Sequence, residues 1–120
     1  AMAEAAGGRG GTLCPLLDAK SGQLYGAVYA PHRASEIFAE RPEECARRVP
    51  PDAVVFGDAL EKHAHLFRGN PTLGPEFAHP KPSMIGRLAV RDFAAGRRDD
   101  VNALVPLYLR ATEAELKAGL

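Results

Sequence analysis

The sequence is poor in the residues that support several large classes of protein. It has no tryptophan and two cysteines, Cys14 and Cys45, and neither cysteine has a CxxC partner. This content argues against a disulfide framework or a zinc site, and the apolar or helical surroundings of both residues predict buried thiols in a reducing compartment. No apolar run approaches the roughly 20 residues of a membrane-spanning helix. No charged leader with an apolar core is seen, and we expect a cytoplasmic protein without membrane contact.

The chain also lacks an excess of charge of either sign. Lysine plus arginine and aspartate plus glutamate number 15 each, so the formal net charge is zero. Such a balance gives no electrostatic footprint for nucleic acid, and we expect no direct nucleic-acid binding. The 120 residues suit a single domain, and a hydrophobic content of 46% is sufficient for a core.

The first third of the sequence has the pattern of an antiparallel meander. Apolar runs at residues 12–18 and 23–30 predict two strands, and a third short run follows at residues 35–40. Lys20-Ser21-Gly22 predicts a tight turn between the first two strands. Pro15 cannot donate a hydrogen bond to a ladder, which indicates an edge position or a bulge.

The remaining sequence alternates helical and extended patterns. A helix at residues 42–49 precedes a short apolar run at 53–56, which is typical of a buried parallel strand. Asp58 as N-cap, with Glu61 three residues later, predicts a helix that Gly69 ends. The further expected elements are a weak edge strand at 72–77, a helix at 83–95 with the apolar stripe Ile85, Leu88, Ala89 and Phe93, an extended segment at 104–110, and a tail helix with a Thr112–Glu115 capping box.

This order predicts an α/β fold with a mixed sheet and helical cover. A three-strand meander followed by alternating helices and strands is the order of one half of a ribonuclease-H-like, actin-like ATPase fold. We assign residues 1–11 to a cloning scar and the end of a truncated upstream helix, residues 12–111 to the domain, and residues 112–120 to the tail helix.

Two loops occupy the positions of nucleotide loops in actin-like ATPases. Lys20 could meet a phosphate, but a phosphate nest needs glycine close to the aspartate, and three residues separate Asp18 from Gly22. Gly57 lies where that fold has its adenosine loop, but the neighbouring Asp58 would put a negative charge at an anion site. An ordinary hairpin and a plain strand-to-helix turn are the simpler interpretations. We therefore treat Asp18, Lys20, Gly22 and Gly57 as weak cofactor-binding candidates.

No catalytic or metal-binding constellation is assembled in the sequence. His63 and His65 are two residues apart and do not share a helix face, and Glu61 with His65 would give only a pair of ligands. The serines lack a GxSxG elbow. We expect no catalytic residue, no metal and no cofactor.

Tyr108 and Arg110 follow Pro106 in the late extended segment. Residues two apart on a strand face the same way. They could contact a partner or an absent domain, or they could pack a ring and leave a guanidinium at the rim, and the sequence leaves both interpretations open.

Four motifs in order resemble the C-terminal half of the TsaB (YeaZ) family. They are LLDAKSGQLYGAVY with Asp18-Ala19-Lys20, Gly22 and Tyr25; VVFGDALEKH with Gly57; IGRLAVRDFAAG with Phe93 and Gly96; and PLYLR with Pro106 and Tyr108-Leu109-Arg110. The resemblance spans about residues 12–112. Lys20 replaces the usual arginine and Gln23 the frequent glutamate, and the first change turns a forked donor into a point charge.

The resemblance implies a role in making threonylcarbamoyladenosine on tRNA. TsaB proteins are understood as non-catalytic partners of the catalytic subunit TsaD, together with a TsaE-like ATPase, and they often carry an M22 glycoprotease label. The resemblance also implies that an N-terminal half is missing, that a homodimer can form and that an apolar face is left exposed. The alternatives are a residual nucleotide-binding or M22-like hydrolase domain and a self-contained interaction domain unconnected with tRNA.

Overall fold

The computed structural model describes residues 1–7 and 10–119. Parts of the two predicted terminal segments, residues 8, 9 and 120, lie outside that description. The first strands are β1 (Leu13–Asp18), β2 (Leu24–Gly26), β3 (Tyr29–Ala30), β4 (Arg33–Ala34) and β5 (Phe38–Glu40). β1 pairs antiparallel with β2 and β3, β2 pairs with β5, and β3 pairs with β4. The predicted meander is therefore confirmed, with its second and third strands each divided in two.

Pro15 explains why the second strand is divided. Leu16 is opposite Gly26 and Leu13 is opposite Tyr29, so β2 and β3 share one register and are two parts of a single strand. In that register Pro15 falls opposite the gap at Ala27, between the two parts. Because proline has no N–H to donate, the ladder is interrupted there. The expectation of an edge position was wrong, since β1 pairs on both sides.

Ser35 forms the break in the third strand. The register between β3 and β4 differs by one residue from that between β2 and β5, which defines a β-bulge at residues 35–37. The Ser35 N–H donates to the Val28 carbonyl, and the Val28 N–H donates to the Ser35 hydroxyl oxygen, each over 2.8 Å. A side chain thus replaces the backbone acceptor that the extra residue displaces.

The last strand joins this meander to the helical part of the chain. β6 (Val54–Phe56) runs parallel to β1, with Cys14 opposite Val55, as its unbroken apolar sequence predicted. A single parallel bridge from Val55 to Thr72 continues the sheet. The edge strand predicted at residues 72–77 was otherwise wrong, because Pro75–Phe77 forms a 3-10 helix.

The helices follow the predicted order, but the helix expected before Gly69 is divided into a short α-helix and a 3-10 turn. They are α1 (Met2–Ala5), α2 (Pro42–Arg48), α3 (Leu60–His63) with a following 3-10 turn at Ala64–Phe67, α4 (Pro82–Ala94) and α5 (Glu113–Lys117). The capping box at Thr112 and Glu115 is present on α5. Among the described residues, no helix combines the length and the apolar character that crossing a membrane requires.

The two faces of the sheet are covered unequally. One face packs on α2 and the 3-10 turn after α3 and carries the main core: Cys14, Leu16, Leu24, Phe38, Cys45, Val49, Ala53, Val55, Ala59 and Phe67. The other face carries a smaller cluster of Met2, Ala6 and Phe56, with Leu13, Leu17, Leu73 and Phe77 packed against it. Burial of apolar area is the main stabilising term, so the first face holds the domain together.

The C-terminal part of the chain is far more exposed than its sequence predicted. α4 forms where expected, but two members of its predicted apolar stripe, Ile85 and Phe93, are 53% and 62% exposed. Residues 104–109 form no strand, and Leu104, Val105, Leu107 and Tyr108 are exposed. Periodicity identified the helix correctly, but of the predicted stripe Leu88 alone is partly buried, while Ile85, Ala89 and Phe93 are exposed.

Both cysteines should be inert in the native protein. Burial raises the pKa of the Cys14 thiol to about 12 and that of Cys45 to about 11. Since the thiolate is the reactive form, we expect modification by an aromatic disulfide reagent at pH 8 at least about 100-fold slower than that of a cysteine peptide. The same protein in urea should release two equivalents at the peptide rate. Rapid stoichiometric labelling of the folded protein would contradict this.

Candidate functional site

The hairpin at Asp18 is closed by its own polar groups. Oδ1 of Asp18 accepts the Lys20 N–H over 2.8 Å, and the Ala19 N–H donates to the Gln23 carbonyl over 3.0 Å. Lys20, Ser21 and Gly22 have φ angles of 59°, 23° and 74°. An aspartate that accepts an N–H two residues later, ahead of left-handed residues, forms an ordinary Asx-type turn. The local geometry is therefore that of an ordinary hairpin, which was the simpler interpretation of this loop.

The structure brings this hairpin into contact with the loop after β6. The Asp18 N–H donates to Oδ1 of Asp58 over 2.8 Å, and the Nζ of Lys62 donates to Oδ2 of Asp18 over 2.8 Å. Nδ1 of His79 lies 3.8 Å from Oδ2 of Asp58. The carboxyl ends of adjacent parallel strands meet at one edge of a sheet. We call Asp18, Asp58, Lys62 and His79 the ionic cluster.

Asp58 does not act as the predicted N-cap. α3 begins at Leu60, its N-cap is Ala59, and no side chain caps it. The Asp58 carboxylate bonds across to β1 instead, and its N–H donates to the Ala78 carbonyl over 3.0 Å. The capping-box prediction for Asp58 and Glu61 was therefore wrong. A tertiary donor, the Asp18 N–H, was available to this carboxylate and replaced the local N–H donors of the helix start.

Gly57 is required by the packing of the chain itself. Its φ is 127°, and a Cβ built on it would lie 1.9 Å from the carbonyl oxygen of Leu16. L-residues with a side chain rarely adopt that conformation. Gly57 therefore allows the backbone to pass close to the neighbouring strand, and this contact accounts for the glycine without a nucleotide.

The charges of the ionic cluster affect one another. The hydrogen bond from Lys62, followed by that from the Lys20 N–H, holds the pKa of the Asp18 carboxyl below its ordinary value. The hydrogen bond to Asp18 raises the pKa of Lys62. Both groups stay charged at neutral pH, so the Lys62 ammonium is already neutralised by a carboxylate of the same chain.

A shallow cleft lies beside Gly57. It has a volume of about 250 Å³ and is lined by Gly57, Leu60, Glu61, Ala64, Thr72, Leu73, Gly74, Pro75 and Ala78. Among these described residues Glu61 carries the one charged side chain. A carboxylate without a cation is unsuited to a phosphate, whereas apolar walls could accommodate a neutral ring.

The histidines do not assemble into a ligand set. The rings of His63 and His65 lie with their centroids 6.4 Å apart. Within residues 1–7 and 10–119, no three His, Cys, Asp or Glu side chains are grouped closely enough to hold a metal ion.

Tyr108 and Arg110 line one concave surface. Together with Leu109, Ala111, Thr112 and Glu115 they form a cleft of about 520 Å³ in front of α5. Tyr108 is 76% exposed and Arg110 is partly buried. The strand on which the two were expected to face one way is absent, but the irregular segment still places both on the same surface.

Sequence reasoning missed Lys62 as a member of the ionic cluster. It lies 44 residues from Asp18, and nothing local to it indicates this contact. Asp18 and Asp58 were both identified, but in separate roles. The parallel position predicted for β6 was the available signal that their loops would meet.

The geometry defines a mixed α/β protein whose central strand β1 pairs antiparallel on one side and parallel on the other. No protein-family model and no curated protein matches the sequence. The fold is similar to the crystal structure of an uncharacterized Pseudomonas aeruginosa protein with similarity to peptidase YEAZ, with a TM-score of 0.71. The identity is 20%, and the match covers 91% of this chain and 55% of the other. The chain therefore has a YeaZ-like fold and spans about half of that neighbour.

Replacing Gly57 should destabilise the fold. Gly57→Ala forces a Cβ against the Leu16 carbonyl in a φ range that alanine avoids, and we expect a loss of at least about 2 kcal/mol in urea unfolding. Gly69→Ala is the matched control, because no atom lies within 4 Å of its added Cβ. The control should change stability by less than about 1 kcal/mol. Equal effects of the two substitutions would contradict the packing role of Gly57.

The lowered pKa of Asp18 predicts a pH-dependent stability. In the unfolded protein the pKa of an aspartate carboxyl is about 3.9, and in the folded protein the pKa of Asp18 is lower. Such a carboxyl stabilises the fold at pH values above about 3.9, and this contribution is lost as the pH falls through the folded-state pKa. Asp18→Asn should cost about 1 kcal/mol or less at pH 7 and nothing at the acid end, since the ion pair is exposed. Asp52→Asn is the control, and urea midpoints from pH 2 to 7 give the measurement. A cost that is the same at every pH would contradict the assignment.

Proposed function

We propose that this chain is part of a TsaB-type, non-catalytic partner subunit that supports a TsaD-like catalytic subunit in threonylcarbamoyladenosine synthesis on tRNA, together with a TsaE-like ATPase. The ordered motifs from Asp18 to Arg110 support the proposal at the level of sequence. The YeaZ-like fold supports it at the level of architecture. In this proposal the chain acts in the cytoplasm by contact between proteins and contributes no catalytic residue.

One observation carries the non-catalytic part of the proposal. Two groups near a possible phosphate position are occupied within the chain, because Asp18 accepts from the backbone N–H of Lys20 and from the ammonium of Lys62. The glycine at position 57 is explained by its close approach to the Leu16 carbonyl and does not require a nucleotide base beside it. A phosphate would have to displace an ion pair whose carboxylate would then repel it.

The cleft of Tyr108 and Arg110 is the surface that we assign to the partner. Tyrosine and arginine are enriched where protein interfaces derive their binding energy, because each combines a large contact area with hydrogen-bonding groups. Both are outside the main core, so they are free of a packing role there.

A second candidate function is residual nucleotide binding or an M22-like hydrolase activity. The cleft of about 250 Å³ beside Gly57 favours it, because its apolar lining could hold an adenine ring. Calorimetric titration with ATP and magnesium separates the two candidates. Binding that is absent or no tighter than millimolar supports the scaffold proposal, and micromolar binding supports the nucleotide site.

The partner surface can be tested by substitution. A TsaD-like protein should co-purify with the chain, and Tyr108→Ala and Arg110→Ala should each weaken that binding by about 10-fold, as truncation of an interface residue does. Arg68→Ala, an exposed arginine beyond α3, is the matched control and should bind normally.

Two results would contradict the proposal. One is failure of the unmodified protein to bind any TsaD-like subunit from its own organism. The other is normal threonylcarbamoyladenosine in tRNA, measured by mass spectrometry of nucleosides, after loss of the gene.

A further inference from the structure

The short helix α5 forms one side of the cleft that contains Tyr108 and Arg110. Thr112 before the helix and Glu115 within it both line this cleft. No residue of α5 is buried, so packing against the core does not hold the helix in place. The helix has five residues, whereas isolated helices shorter than roughly 12–15 residues are marginal in water. The order of α5 therefore depends on local contacts.

Thr112 and Glu115 supply these local contacts as a reciprocal capping box. The Glu115 N–H donates to Oγ1 of Thr112 over 3.2 Å. Oε2 of Glu115 accepts the Thr112 N–H over 2.6 Å and the Thr112 hydroxyl over 2.7 Å. The bond from the Thr112 N–H, followed by that from its hydroxyl, holds the pKa of the Glu115 carboxyl below its ordinary value. The box thus satisfies two backbone donors at the start of α5 with an acceptor that is ionised at neutral pH.

The capping box also fixes the backbone that follows Arg110. The N–H of Thr112 belongs to the peptide group that joins Ala111 to Thr112, one residue after Arg110. This peptide group is planar, so the bond to Glu115 sets the orientation of the whole group relative to α5. Thr112 has the extended conformation of an N-cap residue, with φ of −65° and ψ of 159°. One contact therefore controls both sides of the cleft.

We propose that Thr112 and Glu115 are positioning residues for partner binding, because their capping box holds α5 and Arg110 in the arrangement that the partner recognises. Glu115 acts through α5 and through the peptide group before Thr112, and its charge is not itself recognised. A surface that is already ordered loses less conformational entropy on association. This inference rests on the proposed function, in which Tyr108 and Arg110 contact a TsaD-like subunit.

Carbon chemical shifts of residues 113–117, measured by NMR on the chain alone, test whether the box orders the cleft. Thr112→Ala and Glu115→Ala should each lower the ratio of helix to coil in α5 about fivefold, as the loss of an N-cap does. Thr112→Ser and Glu115→Gln both preserve a capping box and should keep the ratio within about twofold of the unsubstituted chain.

Affinity for the TsaD-like subunit tests the positioning role. Thr112→Ala and Glu115→Ala should each weaken binding about three- to fivefold, because a smaller fraction of the chain has the binding arrangement. Glu115→Gln should restore normal binding, although it removes the charge. Glu113→Ala is the matched control, since Glu113 is an exposed acidic residue in the same turn of α5 and does not line the cleft.

The outcomes separate this inference from the proposed function. If the unsubstituted chain binds the partner, either of two results overturns the inference alone. One is an α5 that stays helical, or a partner affinity that stays normal, in both alanine variants. The other is a loss of binding in Glu115→Gln as large as that in Glu115→Ala, which would show that the partner contacts the charge directly. Failure of the unsubstituted chain to bind overturns both the inference and the proposed function.

Discussion

The parallel ladder between β1 and β6 joins the antiparallel meander to the helical part of the chain. It is the contact through which the main core forms, because Cys14 and Leu16 on β1 and Val55 on β6 all point into that core. The same ladder brings the ends of the two strands together and so places Gly57 against Leu16. A side chain at Gly57 would collide with that carbonyl, and both the core and the ionic cluster depend on this close approach.

The ionic cluster lies at a position that is common for ligand sites, but its side chains are not arranged to bind a ligand. Its place at the carboxyl ends of adjacent parallel strands is where α/β proteins commonly bind ligands. Its carboxylates are nevertheless occupied within the chain, since Asp18 accepts from the Lys62 ammonium and Asp58 accepts from the Asp18 N–H. A cluster whose charges are satisfied internally orders the loops and leaves little electrostatic potential for a ligand. This is the physical basis for proposing that the function lies on the outer surfaces.

Local patterns predicted the elements better than their contacts. The meander, β6, α2 and α4 were all found because alternation, helical periodicity, proline and glycine act over a few residues. The weak strand at 72–77 failed because Pro75 favours the start of a 3-10 helix over a ladder. Asp58 failed as an N-cap because the Asp18 N–H, 40 residues away, offered a tertiary partner. Lys62 could not be found at all, since its contact with Asp18 depends on how two distant loops meet.

The sequence by itself determined the α/β class, the order of strands and helices, the burial of both cysteines and the turn at Lys20-Ser21-Gly22. These follow from side-chain size, polarity and backbone preference within short windows. The tertiary structure alone decided that Pro15 lies in the central strand, that Gly57 serves internal packing and that Asp18 is paired with Lys62. It also decided that most of the apolar stripe of α4 is exposed. Each of these depends on which surfaces of distant segments are brought together, and periodicity specifies an apolar side without specifying what will cover it.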